Sequence, residues 1–330
     1  MAGGPRSERG QSHDMTLTAR AEHVDSPAGR PVARGSSRHT SRSVREERTG
    51  LALVAPAIAI VAVFVLFPLG FCVYISLTNW PLVGPYHFVG LANYRALVHD
   101  STFLQSVTFT LKYTGIVTLP ILVIGYLLAV FVRGNRFGAT LFRTCIFLPF
   151  IVGITTLSFL AEVELQPGFG SVNVLLSKLH LASLQTVWVQ NSTLALVAIS
   201  VLVVWLASGL TMMLLMAGMQ GIPDELYESA NVDGASWWEK ERFVTIPLLR
   251  RSIALSLIIS VVGSFLAFNQ FFIITDGGPG TSTVSVVMEI YETFNTAMRV
   301  GGASAMAVVL VVVVGLITFV QFKVLRGGDA

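Results

Sequence analysis

Six stretches of this chain are uncharged and mainly apolar, and they constrain its fold more than any other feature does. A helix that crosses the hydrocarbon core of a membrane needs roughly 20 such residues. Only 12% of the residues are charged, which is about half the usual fraction in soluble domains. The sequence therefore predicts an all-α, multi-pass membrane protein surrounded by lipid, with a bundle of six transmembrane helices in one domain over residues 50–330. The predicted spans are residues 51–80, 113–132, 144–161, 192–221, 252–275 and 303–322.

Residues 1–49 differ from the rest of the chain because they carry nine arginines and six acidic residues without apolar periodicity. This composition predicts a disordered, basic tail. The rest of the chain holds equal numbers of basic and acidic residues, so the basic character belongs to the tail alone. The body has neither a basic stripe nor a recognition motif, and we therefore expect no nucleic-acid partner.

The distribution of Lys and Arg between the spans predicts which side of the membrane each connection faces. If the amino terminus is cytoplasmic, nine basic residues of the body lie on the cytoplasmic side and four on the opposite side. Cytoplasmic connections usually carry the excess of positive charge. We therefore expect both termini, the 1–49 tail and the connection between the fourth and fifth spans in the cytoplasm.

The longest charged passage between spans covers residues 221–247, which we name the module. A proline at the first helical position, followed by two acidic residues, predicts the start of a helix, and Gly234 predicts its end. Ser236 and Glu239 have the spacing of a capping box, which predicts a second helix that Pro247 ends. The module is thus predicted to be a helix–glycine–helix unit that is polar enough for water and apolar enough to bind a partner.

The sequence contains no motif for nucleotide binding, hydrolysis or redox chemistry, since P-loop, HExxH, GxSxG and CxxC patterns are all missing. Cys72 and Cys145 lie in apolar stretches and are interpreted as core residues. The spans contain no histidine and no acidic residue, whereas ion-coupled transporters usually need charge inside the membrane. We therefore expect a non-enzymatic chain with no metal or cofactor of its own. A secondary transporter driven by an ion gradient, and a membrane sensor or scaffold, remain as alternatives.

The polar residues inside the spans are neutral, and the most prominent are Asn269 and Gln270 in the fifth span. Amides in hydrocarbon need hydrogen-bond partners, so they either join helices or face a wet path. Both interpretations stay open. Because Phe268 and Phe272 flank these amides, a substrate path formed by the four residues would suit an uncharged, polyhydroxylated solute.

Residues 227–234 and 244–247, YESANVDG and VTIP with nine residues between them, resemble the EAA loop of ABC importer permeases, EAA-x3-G-x9-I-x-L-P. The segments FVGLANY, FRTCIFLPF and DGGPGTST are similar to those of the maltose- and glycerol-phosphate-type sugar permeases. The chain is thus identified by resemblance as a permease subunit of a binding-protein-dependent importer. The similarity runs from about residue 50 to the end.

The resemblance implies a type I ABC importer permease fold in the plasma (inner) membrane, with the module as a cytoplasmic coupling helix. It also implies three kinds of partner: a dimer of cytoplasmic ABC ATPases that binds ATP and Mg²⁺, a second permease that is related but not identical, and an extracellular or periplasmic solute-binding protein. ATP hydrolysis would take place on the partner and drive uptake of a sugar or similar polar solute. The residues implied in ATPase coupling are Glu228, Ser229, Ala230, Asp233, Gly234 and Pro247.

Overall fold

A computed structural model describes residues 53–81, 83–134, 138–180 and 187–326. The predicted 1–49 tail lies outside these ranges. The chain divides into two compact units, Met1–Ile60 and Val61–Ala330. In the first, the described residues 53–60 are helical. All contacts reported below lie within the second unit, whose described residues form helices joined by turns, with two isolated β-bridges as the only extended pairing.

Four helices are long and apolar enough to cross a membrane, and they correspond to the first, second, fourth and sixth predicted spans. They are α1 (Leu53–Ser76), α3 (Ser101–Phe131), α7 (Ser192–Gln220) and α13 (Val300–Arg326). Helix α3 begins before the predicted span because Asp100 caps it, accepting hydrogen bonds from the first-turn amides. A short helix, α2 (Ala92–His99), precedes it.

The third predicted span is bent rather than straight. It consists of α4 (Ala139–Val152) and α5 (Ile154–Glu164), which meet at an angle of 90°. Gly153 between them has a φ of 86°, a conformation that residues with a side chain rarely adopt. A short helix, α6 (Ser171–Lys178), follows α5.

The fifth predicted span is also interrupted. The module helices α8 (Asp224–Val232) and α9 (Trp237–Leu248) precede α10 (Arg250–Phe265), which meets α9 at an angle of 70°. After α10 the chain breaks for three residues and continues as α11 (Asn269–Ile274). Helix α12 (Val286–Asn295) then leads to α13. The described residues thus give four crossing helices, or six if each bent pair counts as one span, in agreement with the predicted number.

Helix α3 lies at the centre of the packing and contacts α7 along much of its length. Around its middle, an apolar cluster includes Tyr113 and Val117 of α3 and Phe271 of α11. Towards its carboxyl end, a second cluster joins Ala129 of α3 to the last turns of α7 and to Leu249, just after the module. One helix therefore connects the broken span to the module.

Candidate functional sites in the module and between the spans

The first module helix, α8, has the boundaries that its sequence predicted, with one small difference. Pro223 is extended and precedes the helix rather than occupying its first position, whereas Asp224 and Glu225 lie in the first turn as expected. Gly234 ends the helix in the left-handed region with a φ of 75°. The Ala235 amide then donates to the carbonyl oxygen of Ala230 at 2.9 Å, which closes the last turn.

The second module helix, α9, begins with the predicted capping box. The Glu239 amide donates to Ser236 Oγ at 3.4 Å, and the Ser236 amide donates to Glu239 Oε2 at 2.7 Å. These hydrogen bonds from Ser236 lower the pKa of the Glu239 carboxyl group, because they favour its charged form.

Pro247 does not end α9, so the predicted boundary was wrong. The helix passes through a π-helical turn, Glu241–Thr245, and continues to Leu248. Pro247 is accommodated in the first turn of the short α-helical segment that follows the π turn, where a missing N–H is tolerated. The change of direction comes at Leu249, between α9 and α10.

The residues implied in coupling are open to solvent along α8. Glu228, Ser229, Asp233 and Gly234 are exposed, and Ala230 is half-buried. Pro247 is also exposed, but it lies on α9 rather than beside the others. The module therefore presents most of the implied residues on one helix and its terminal turn.

Large apolar side chains accompany these polar residues. Val232 is 88% exposed, and Trp237, Trp238 and Phe243 on α9 are also exposed. A polar helix face beside open valine, tryptophan and phenylalanine side chains is a surface suited to contact with another protein.

The opposite face of the module carries a polar junction that the sequence did not reveal. Tyr126 on α3 donates a hydrogen bond to Glu241 Oε2 at 2.5 Å, and Arg133 Nη1 lies 3.8 Å from Glu241 Oε1. The Arg133 guanidinium also lies over the ring of Tyr227, 4.3 Å from its centroid. The hydroxyls of Tyr227 and Thr245 are hydrogen-bonded at 3.0 Å. We name these five residues the polar junction.

A weak signal for the junction was present in the sequence. Glu241, Thr245 and Leu249 are spaced by four residues, and all three are buried. A carboxylate on the buried side of a helix needs partners, but the sequence does not say which. The partners come from α3, more than a hundred positions earlier in the chain.

A cavity of about 230 Å³ lies between the spans, where the fifth one breaks. Its lining combines neutral polar groups with apolar and aromatic side chains. Among the predicted path residues, Phe268, Asn269 and Gln270 line it. Phe272 does not belong to this lining; its ring stacks on Phe268 with centroids 5.1 Å apart. Neutral polar groups from other helices that line the cavity are Tyr113, Thr211, Ser260 and Ser264.

Gln270 makes an interhelical hydrogen bond and lines the cavity at the same time. Its Nε2 donates to the Tyr113 hydroxyl of α3 at 3.2 Å, and only 5% of the residue is exposed. The break in the span leaves backbone groups without helical partners, and Ser285 Oγ donates to one of them, the Ala267 carbonyl oxygen, at 2.6 Å. Gln270 thus joins two helices and also faces the cavity, so both interpretations of the amide residues hold at this position.

Comparison with known families decides what kind of protein contains these two sites. Residues 116–326 match the family of binding-protein-dependent transport system inner membrane components. The match covers the module, the broken span and the second half of α3. The chain belongs to this permease family.

Similar proteins of known or assigned role support the same conclusion. The permease is 34% identical to a probable ABC transporter permease of Pyrococcus horikoshii, over 81% of this chain and 93% of the relative. It is 30% identical to the diacetylchitobiose uptake system permease NgcF of Streptomyces coelicolor, over 91% of this chain and 89% of the relative. The predicted resemblance to ABC importer permeases is thus confirmed, and the permease is a membrane transport subunit.

A solved structure shows the same fold. The crystal structure of a bacterial ABC transporter involved in the import of the acidic polysaccharide alginate contains a chain that aligns with a TM-score of 0.76 and 21% identity. The alignment covers 88% of the permease and 99% of that chain. The predicted importer permease fold is therefore confirmed.

Proposed function

We propose that the permease forms part of the translocation path of an ATP-driven importer for a sugar or a similar small polar solute. The observation that carries the proposal is the exposed α8 surface of the module, which has the spacing of an EAA loop. On this surface, Glu228 and Asp233 offer charge and Val232 offers an apolar contact. An ATPase bound to this surface would move the helices that pack against the module.

ATP hydrolysis belongs, in this proposal, to a dimer of cytoplasmic ABC ATPases that bind ATP and Mg²⁺. The permease sequence contains no P-loop, the phosphate-binding motif of many such motors. A related, non-identical permease would complete the path, and an external solute-binding protein would deliver the substrate. A solved relative in fold is described as an alginate transporter in complex with an alginate pentasaccharide-bound periplasmic protein, which supports this arrangement.

The proposed orientation rests on charge. Nine basic residues of the body lie on the side that includes the module, against four on the other side. This asymmetry supports a cytoplasmic module and cytoplasmic termini. The ATPase and the module would then meet in the same compartment.

The sugar class is supported by the cavity and by the relatives. Amide and hydroxyl groups beside an aromatic ring suit the hydroxyls and apolar faces of a carbohydrate. Relatives include the multiple sugar-binding transport system permease MsmF of Streptococcus mutans, 29% identical, and the trehalose/maltose permease MalF of Thermococcus litoralis, 28% identical. Asn269, Gln270 and Phe268 are the proposed contact residues. Phe272 stabilises Phe268 by stacking on its ring.

Co-purification tests the proposal. The tagged permease, extracted from membranes of its native host, should retain an ATPase that is labelled by photoreactive ATP. Glu228→Lys should release this ATPase, and so should Gly234→Pro, which also disrupts the turn after α8. Glu225→Lys, the same charge reversal one turn earlier and outside the motif, serves as the matched control. Unchanged ATPase association and solute uptake in both test variants would contradict the proposal.

A further inference from the structure

Glu241 is a buried carboxylate in a position that the EAA-loop pattern does not specify. It is 3% exposed, and it is one of two acidic residues that are buried in the described part of the chain. Removing a carboxylate from water is unfavourable unless it is paired and hydrogen-bonded. A buried Glu241 therefore depends on the groups that surround it.

Those groups come from α3 and from the residues that follow it directly. Tyr126 belongs to α3, and Arg133 lies just beyond the end of the same helix. Arg133 contacts both the carboxylate of Glu241 on α9 and the ring of Tyr227 on α8. Both module helices are thus joined to α3 through one guanidinium group and one carboxylate.

The polar junction and the cavity lie on the same helix. Tyr113 and Tyr126 are thirteen positions apart on α3, which corresponds to roughly 20 Å along a helix. The Tyr113 hydroxyl accepts the hydrogen bond from Gln270, and its ring packs edge-on against Phe271 with centroids 4.9 Å apart. A displacement of α3 at its junction end would therefore change a contact in the cavity wall.

We propose that Glu241 is a positioning residue that transmits movement of the module to α3 and through α3 to the Tyr113–Gln270 contact. This inference rests on the proposed function, because it takes the module to be moved by an ATPase. The Tyr126 hydrogen bond and the Arg133 ion pair make α9 and α3 move together. Without them, the exposed surface of α8 still binds its partner, but α3 is joined to the module mainly by the apolar cluster of Ala129 and Leu249, so its movement is reduced.

Two variants separate the contacts of Glu241. Glu241→Gln keeps an acceptor for the Tyr126 hydroxyl but removes the charge that faces Arg133. Tyr126→Phe removes the hydrogen bond and leaves the ion pair in place. Glu239→Gln is the matched control, since Glu239 is an exposed glutamate on the same helix whose two hydrogen bonds are with Ser236 at the start of α9.

The measurement uses the full complex purified with its ATPase, with Cys72 and Cys145 replaced by serine. Spin labels at Leu119 on α3 and Val312 on α13, both exposed, report the distance between these helices with and without ATP and vanadate. A label at Leu248, which is exposed at the end of α9 and is not one of the proposed ATPase contacts, reports movement of the module. In the parent complex and in Glu239→Gln, ATP and vanadate should change both signals.

In Glu241→Gln and Tyr126→Phe, we expect the ATPase to stay bound and the Leu248 signal to change, while the change in the Leu119–Val312 distance is clearly reduced. The exchange pair Arg133→Glu with Glu241→Arg should restore part of it, which a general loss of folding would not allow. The proposal is overturned if α3 moves normally in both variants, or if either variant loses the ATPase, since the junction would then only hold the module in place. If the parent chain binds no ATPase, the proposed function fails as well.

Discussion

Gly234 offers a sharp test of how the module is built, because its importance depends on backbone conformation alone. Its φ is 75°, and a methyl group added to it would meet no atom within 4 Å. A left-handed conformation costs an ordinary residue about 1–2 kcal/mol. Gly234→Ala should therefore destabilise the closed turn by about that amount, which corresponds to a factor of about 5–30 in its population.

The assay is amide hydrogen exchange of residues 224–240 in the purified permease, read by mass spectrometry. The Ala235 amide is hydrogen-bonded to the Ala230 carbonyl oxygen only while the turn is closed. Its exchange should accelerate by about 5–30-fold in Gly234→Ala. Gly234→Asn should have a smaller effect, since asparagine enters the left-handed region more readily.

Gly315→Ala is the matched control. Gly315 lies within α13, has no positive φ, and likewise has nothing within 4 Å of an added methyl group. There the same substitution should stabilise the helix by about 0.5–1 kcal/mol, because glycine is a poor helix former. The reasoning is refuted if Gly234→Ala exchanges like the parent permease, or if Gly234→Asn and Gly234→Ala are indistinguishable.

Three other results are expected from the geometry. Gly301→Ala should lower the thermal unfolding midpoint, because the added methyl group would collide with the Thr78 carbonyl oxygen and overpacking costs about 1–3 kcal/mol. An unchanged midpoint would contradict this close approach. Gln270→Leu should also lower the unfolding midpoint, because the buried Tyr113 hydroxyl loses its hydrogen-bond donor at a cost of about 1–3 kcal/mol. An equally stable variant would show that this hydrogen bond contributes nothing to stability. The pKa of Glu239 is lowered in the folded state, so this carboxylate should stabilise the start of α9 fully above its unfolded-state pKa and lose that contribution as the pH falls through its folded-state pKa. Hydrogen exchange of the first α9 amides, corrected for pH, measures this loss. Protection that does not change over this pH range would contradict the prediction.

The long spans could be predicted from sequence because length and hydropathy decide them. Helices α3 and α7 each begin after a capping residue, Asp100 or Asn191. The bend at Gly153 and the break after Phe265 could not be predicted in this way. Hydropathy is the same for a straight and a broken apolar segment, and the break is stabilised by distant groups such as Ser285.

The module likewise has features that the sequence predicts and one that it does not. Its glycine turn and its capping box are local, since their hydrogen bonds join residues a few positions apart. The polar junction is not local, because Tyr126 and Glu241 are 115 positions apart. The sequence alone shows that Glu241 has the four-residue spacing of the buried side of α9. Only the packing of α3 against the module shows which side chains pair with this glutamate.

The central claim is that the module binds an ATPase, and photo-crosslinking in intact cells tests it most directly. A photoreactive amino acid replaces Val232 in the module or Val83 in the connection after α1, which are 88% and 86% exposed. Crosslinked partners are then tested for labelling by photoreactive ATP. The account predicts an ATP-binding partner from position 232 and none from position 83. An ATP-binding partner at position 83, or no such partner at position 232, would contradict it.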